Sequence, residues 1–210
     1  MNGIEKIRIL IVEDHFLARM ALATVINTQD DMSVIAEAES GDQAVAKFGE
    51  FRPHITLMDL RIPGMSGLEA LQAIRKDFPK ARIIVLTNYE GSEDIYRCLQ
   101  AGAASYLLKD TSGDVLLEAI RAVHNGRHYL PRNVGEKLSE RMPFSDLTPR
   151  ETDVLKLIAK GKSNKEIGSN LDIAEKTVRI HVSNVLAKLG VGDRTQAAIA
   201  ALQRGIVHLD

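Results

Sequence analysis

The sequence predicts two domains in succession, an α/β domain on a parallel sheet and then an all-α domain of four helices, with a linker between them. Three observations predict this. Short apolar segments recur through the first half at intervals of about twenty residues, with helix-period stretches filling the gaps, the rhythm of βαβ units in a doubly covered sheet. Helix-start signatures stand among them. After a stretch dense in turn residues the apolar period becomes helical throughout.

The apolar segments Ile7–Val12, Val34–Ala36, Ile55–Met58, Ile83–Leu86 and Tyr106–Leu108 are the expected strands. Ser40-Gly41-Asp42-Gln43 and Ser66-Gly67-Leu68-Glu69 both read S-x-x-E/Q, a capping box whose hydroxyl and later side chain satisfy orphan backbone N–H groups. Five strands and five helices result, the last helix near Ser112–Val123. Residues 125–146, from Asn125-Gly126 through Pro131 and Pro143 to Ser145-Asp146, break the rhythm and carry only weak helical pattern around Val134–Arg141. The expected division is a first domain at 1–124, a linker at 125–145 and a second domain at 146–210. The second opens on Thr148-Pro149-Arg150-Glu151, with a capping hydroxyl, Pro at the first helical position and Glu at the third. Ser163-Asn164-Lys165-Glu166 is a further capping box after the helix-stopping Gly161. Helices about Ala174–Leu189 and Asp193–Arg204 end at Gly190 and Gly205.

With 210 residues, 45% apolar and 26% charged, the chain has globular composition, which disfavours collagen-like, disordered and coiled-coil architectures. The run Ile9–Val12, followed at once by Glu13-Asp14, is too short for a secretory segment or a membrane span, so a cytoplasmic protein without membrane partners is expected. The single cysteine, Cys98, fits a reducing compartment and removes cysteine-based zinc sites. Charge is uneven: residues 1–124 carry net −5 and residues 146–210 net +2. Between Lys156 and Lys188 seven basic side chains face three acidic ones, a balance suited to a polyanion but also to an ordinary solvated helix face.

In open α/β sheets ligands bind beyond the carboxyl ends of the strands. There the sequence places Glu13, Asp14, Asp59, Thr87 and Lys109. Each alone is an ordinary surface residue; together they form a chemical set. Three ionised carboxylates at close quarters need a cation, and an all-oxygen donor set argues for Mg²⁺ over zinc. With it in place Asp59 can attack phosphorus to give an acyl phosphate, while Lys109 and Thr87 neutralise and hydrogen-bond phosphoryl oxygens.

The stretches Val12-Glu13-Asp14-His15, Leu57–Gly67, Val85-Leu86-Thr87 and Tyr106–Asp110 resemble the receiver domain of bacterial two-component response regulators, over roughly residues 5–124. The resemblance implies a flavodoxin-like (βα)5 fold and phosphoryl transfer from a histidine kinase to Asp59. It also implies Mg²⁺ held by Asp14, Asp59 and the Arg61 carbonyl, with Glu13 reaching it through water, and a switch in which Thr87 moves toward the phosphoryl group while Tyr106 turns inward. Two departures, Glu13 where Asp is frequent and Asn88 where a small residue is common, bear on the lifetime of the phosphorylated form.

On a helical wheel, Val178, Val182, Val185, Leu186 and Leu189 form a core stripe, and Lys176, Arg179, Ile180 and Ser183 lie opposite. After the short helix Ser163–Asn170 this is the second helix of a helix-turn-helix, shaped for a major groove: Arg179 onto guanine, Ile180 onto a thymine methyl, Ser183 onto a base edge or phosphate. Residues 145–210 resemble the LuxR-type DNA-binding domain, through Leu147–Glu151, Gly161–Ile167, Lys176–Leu189 and Asp193–Ala197. The whole chain is thereby similar to the NarL/FixJ response regulators, which implies double-stranded DNA as a partner. It implies Asn164, Lys165, Thr177, Asn184 and Lys188 toward phosphates, and a homodimer when phosphorylated or DNA-bound, with the Ala197–Leu202 stripe as one candidate contact. Gly168, in a helix where the family usually has Ala, should cost about 1 kcal/mol.

Two other functions compete. A haloacid-dehalogenase-like phosphatase also uses an aspartyl nucleophile after a strand, but needs an acid two residues on, where this chain has Arg61. A phosphate-independent DNA binder is disfavoured by the intact Asp14, Asp59, Thr87 and Lys109.

Overall fold

Strands β1 (Ile7–Val12), β2 (Met32–Ala38), β3 (Ile55–Met58), β4 (Ile83–Thr87) and β5 (Ser105–Leu108) form one sheet in the order β2-β1-β3-β4-β5. Every adjacent pair is parallel. Helices α1 (Phe16–Asn27), α2 (Gly41–Phe51), α3 (Gly67–Asp77), α4 (Ser92–Gln100) and α5 (Gly113–His124) alternate with them. This is the doubly wound order of the flavodoxin-like fold that the family resemblance implies. It is seen in a computed structural model that describes residues 6–89, 91–139 and 147–208. The chain divides into two units, the first holding most of residues 1–135 and the second most of residues 136–210.

Strands β3, β4 and β5 are buried along their whole length, which is why their sequences read as unbroken apolar runs. On one face Ile9, Ile11, Ile55, Leu57, Ile84, Leu86 and Leu107 pack against Ile26 of α1 and Leu116, Ile120 and Val123 of α5. Edge strand β2 is longer than the expected Val34–Ala36, because an edge needs only half its residues buried and the polar Ser33 and Glu37 interrupt the apolar run. Its pairing with β1 shifts register between Ile9 and Leu10.

The capping boxes at Ser66, Thr148 and Ser163 are complete. At α2 half of one forms: the Ser40 hydroxyl accepts from the Gln43 N–H, but the Gln43 side chain accepts from Glu39.

Part of the segment expected to be a linker is structured. Tyr129 bridges to Ser105 of β5, and α6 (Arg132–Ser139) follows with Val134 buried. Two apolar residues, Val134 and Leu138, are too few for a periodic signal. The rest of the expected linker, residues 140–145, lies outside the described residues.

The second unit carries α7 (Pro149–Ala159), α8 (Asn164–Leu171), α9 (Glu175–Leu189) and α10 (Arg194–Gln203), the four expected helices. The α9 stripe divides between two clusters: Val178 packs with Val154, Ile158 and Ile167, and Val185 and Leu189 with Leu155, Ala197, Ala201 and Val207. Among the described residues no helix is long and apolar enough to cross a membrane.

Candidate functional site

The sheet order reverses between β1 and β3, and the loops leaving these two strands carry the acidic residues. Asp59 follows β3 directly. Its N–H donates to the Val12 carbonyl at 3.0 Å, which sets it beside the end of β1. Behind it the chain turns so tightly into α3 that a Cβ on Gly67 would lie 1.9 Å from the Asp59 carbonyl oxygen, so only glycine fits there. The Lys109 N–H donates to the Thr87 carbonyl at 2.9 Å, extending the β4–β5 ladder by one bond and aligning both residues.

Here the lysine and two of the acids meet. Lys109 Nζ stands 2.7 Å from Asp59 Oδ2 and 2.6 Å from Glu13 Oε2. Asp59 is 5% exposed and Glu13 1%. The other Asp59 oxygen accepts from the Arg61 N–H at 3.3 Å, which brings the Arg61 backbone to the same carboxylate. Burial alone would lower the Lys109 pKa, but hydrogen bonds to Asp59 and Glu13, and their charges, hold it above the ordinary lysine value. Asp14 is half-exposed, and Nδ1 of the exposed His15 lies 2.9 Å from its Oδ1. Carboxylate and imidazole atoms of Glu13, Asp14 and His15 lie within 4.8 Å of one another.

Glu13, Asp59, Arg61, Thr87, Asn88, Tyr89 and Lys109 line an open cavity of about 450 Å³. Thr87 is fully buried, and its hydroxyl has no hydrogen-bond partner among the described residues. A buried hydroxyl is costly unless something bonds to it, so this one is suited to an incoming acceptor. Tyr106 is also fully buried, turned inward, its hydroxyl donating to the Tyr89 carbonyl at 2.9 Å. The Arg61 guanidinium lies 5.2 Å from the Tyr89 ring centre.

Sequence reasoning missed Arg19 of α1. Its buried guanidinium donates to the carbonyls of Glu13 and Asp14 and pairs with Glu37 and Glu39. A single Arg within Phe-Leu-Ala-Arg-Met-Ala-Leu was the available signal, since a charge on an apolar helix is buried only when paired.

In the second unit α9 presents Lys176, Arg179, Ile180 and Ser183 to solvent, with Ile180 56% exposed. An apolar side chain so exposed beside basic and hydroxyl groups suits a groove with thymine methyls. Arg179 is held by Glu175 one turn back at 2.7 Å, an exposed pair of little energetic weight. Asn184 and Lys165 are exposed, Thr177 and Asn164 half-buried. Lys188 is half-buried, and its ammonium lies 2.7 Å from the buried Glu151 carboxylate, whose charge it compensates within the domain. Burial opposes ionisation of Glu151, but Lys188 and the Thr148 N–H and hydroxyl outweigh it and lower its pKa. Gly168 has a structural reason, since a Cβ there would stand 2.7 Å from the Ile173 carbonyl in the turn to α9.

A parallel α/β domain with an acid–lysine pocket at its switch point, followed in the chain by a helix-turn-helix, defines a class of phosphoryl-responsive DNA-binding regulator. Residues 9–121 match the response regulator receiver domain, and residues 145–201 match the luxR family of bacterial regulatory proteins. The chain belongs to the response regulators that combine these two domains and regulate transcription. It is 41% identical to the response regulator protein VraR of Staphylococcus saprophyticus over 96% of this chain and 99% of that one, and equally similar to VraR of Staphylococcus aureus. Among solved structures, response regulator ChrA of a heme-sensing two-component system is 32% identical with a TM-score of 0.58, covering 96% of this chain and 98% of that one. An RcsB–DNA complex matches in fold, at 24% identity and a TM-score of 0.70 over 93% and 98% of the two chains.

Proposed function

We propose that Asp59 is the phosphoacceptor of this regulator and that its phosphorylation by a histidine kinase gates sequence-specific binding of double-stranded DNA. The observation that carries it is the buried pairing of Asp59 and Glu13 through Lys109, beside a Thr87 hydroxyl that has no partner among the described residues. An Asp59 oxygen attacks phosphorus, the bond from phosphorus to the donor histidine nitrogen breaks, and that nitrogen takes up a proton. Lys109 holds one phosphoryl oxygen and Thr87 donates to another, so both act by positioning and charge compensation.

The donor set fits Mg²⁺: Glu13, Asp14 and Asp59 offer oxygens alone, and the Arg61 backbone adjoins Asp59. When bound, the ion would neutralise the charge gathering on the phosphoryl group. Tyr106, already inward, would keep that position while Thr87 shifts toward the phosphoryl oxygens.

On DNA, Lys176, Arg179, Ile180 and Ser183 would read the major groove, with Asn164, Lys165, Thr177, Asn184 and Lys188 toward phosphates. A homodimer formed on phosphorylation or on DNA would align two such helices with two half-sites. The phosphoryl group acts as a switch ligand, not as an intermediate in turnover, and the protein works as a cytoplasmic regulator, not an enzyme.

The test is intact-mass measurement of the full chain with phosphoramidate and Mg²⁺. One phosphoryl group added to wild type and none to Asp59→Asn is expected. Equal labelling of both, or steady hydrolysis of generic phosphate esters, would defeat the assignment.

A further inference from the structure

We infer, on the metal-site reading above, that Arg19 is the positioning residue that aims the Glu13–Asp14 carboxylates at the cation. Its side chain is 8% exposed and lies directly behind the acidic loop. Nη1 donates to the carbonyl oxygen of Glu13 at 2.6 Å and of Asp14 at 3.3 Å. From its other edge Nε donates to Glu37 Oε2 at 3.1 Å and Nη2 to Glu39 Oε1 at 2.5 Å. The planar fork thus fixes two consecutive peptides of the β1–α1 loop against the exit of edge strand β2. The Glu13 N–H, donating to the Ala38 carbonyl at 3.0 Å, ties the same loop to β2 independently. Fixing the two carbonyls fixes the backbone from which the two carboxylates project. The capping position of this helix is His15, whose side chain makes no cap bond; its N–H donates to Glu13 Oε1 at 3.2 Å and its Nδ1 lies 2.9 Å from Asp14 Oδ1, so these contacts hold the carboxylate ends while Arg19 holds the backbone behind them.

The alternative is that Arg19 acts only through its charge, and the two roles differ in sign. A cation beside a cation site repels the incoming ion, so removing its charge strengthens Mg²⁺ binding if charge is what matters. Removing the fork weakens binding if positioning is what matters, as happens when the groups that orient metal ligands are lost. A lysine keeps the charge, but one ammonium does not span two carbonyls on one side and two carboxylates on the other.

The experiment is calorimetric titration of the full chain with Mg²⁺ alone, on wild type, Arg19→Gln and Arg19→Lys, with far-UV circular dichroism of each. The chain has no tryptophan, which makes heat a better signal than indole fluorescence. Both variants should bind Mg²⁺ about tenfold more weakly. Their phosphorylation by phosphoramidate should lag at low Mg²⁺ and recover toward the wild-type rate at saturation, which general loosening of the fold would not produce. Unchanged or tighter binding by Arg19→Gln, or wild-type affinity in Arg19→Lys, would overturn the inference. If Arg19→Gln does not fold, Arg19→Lys alone decides. Failure of the wild type to bind Mg²⁺ would instead overturn the metal site itself and this inference with it.

Discussion

Replacing Lys109 with methionine tests the electrostatic design of the pocket. The Glu13 and Asp59 oxygens are held 2.6 and 2.7 Å from one Nζ, with side chains 2% and 6% exposed. Without the ammonium, two nearly buried carboxylates stand within roughly 5 Å of each other. At an effective dielectric near 20 their repulsion is about 3 kcal/mol, and breaking a buried pair by removing one partner costs about 3–5 kcal/mol. Lys109→Met should therefore lose about 3 kcal/mol of first-unit stability at neutral pH in EDTA. In urea unfolding followed by circular dichroism that lowers the midpoint by about 1–2 M. Mg²⁺ should restore part of the loss in the variant. The double variant Lys109→Met/Asp59→Asn should be more stable than Lys109→Met alone, because one of the repelling charges is gone. An unfolding free energy within about 0.5 kcal/mol of wild type, on the order of ordinary surface substitutions, or a double variant no more stable than the single, would refute the reasoning.

Thr87→Val should leave the first unit as stable as wild type or more so by up to about 1 kcal/mol, because it removes a buried hydroxyl without a partner among the described residues; thermal unfolding measures this, and clear destabilisation would mean the hydroxyl is bonded after all. The same variant should still be phosphorylated but lose phosphorylation-dependent DNA binding, read by gel shift. Glu166, held to a pKa of about 2 first by the Ser163 N–H and then by the Ser163 hydroxyl and Lys162, lies below its ordinary value. A carboxylate with a lowered folded pKa stabilises fully above its unfolded value and loses that contribution as pH falls toward the folded one. The second unit should therefore weaken between about pH 4.5 and about pH 2. Ser163→Ala should raise the Glu166 pKa, followed by carboxyl NMR, and cost about 1 kcal/mol of helix stability. Arg179→Ala should cost about 1–3 kcal/mol on a cognate site and flatten sequence preference, whereas Lys165→Ala should weaken all DNA alike; competition binding at fixed salt separates the two.

The strand-end residues were legible because each directly follows an apolar run, so that Asp59, Thr87 and Lys109 converge once a parallel sheet is assumed. Glu13 followed from β1 in the same way, whereas Asp14 is half-exposed beside His15 and is not among the residues that line the cavity. Four of the five strand ends supply the pocket; β2, at the edge, supplies Glu37 and Glu39, which hold Arg19. That function was hidden because the partners of Arg19 are side chains and carbonyls up to twenty residues away, and local pattern is blind to such contacts. The pairing of Lys188 was hidden for the same reason: a helical wheel places it on a flank open to phosphates, and the Glu151 carboxylate that it meets lies thirty-seven residues earlier. The α6 helix was illegible for want of length, and Gly168 read as a stability defect until the close approach of Ile173 gave it a cause.

The most direct measurement of the central claim is the affinity of the full chain for DNA fragments selected from its own genome, at fixed salt, with and without phosphoramidate and Mg²⁺, for wild type and Asp59→Asn. The account predicts tighter binding by wild type after treatment and no change for Asp59→Asn. Equal affinity of treated and untreated wild type would contradict it and leave a DNA-binding protein without a phosphoryl switch.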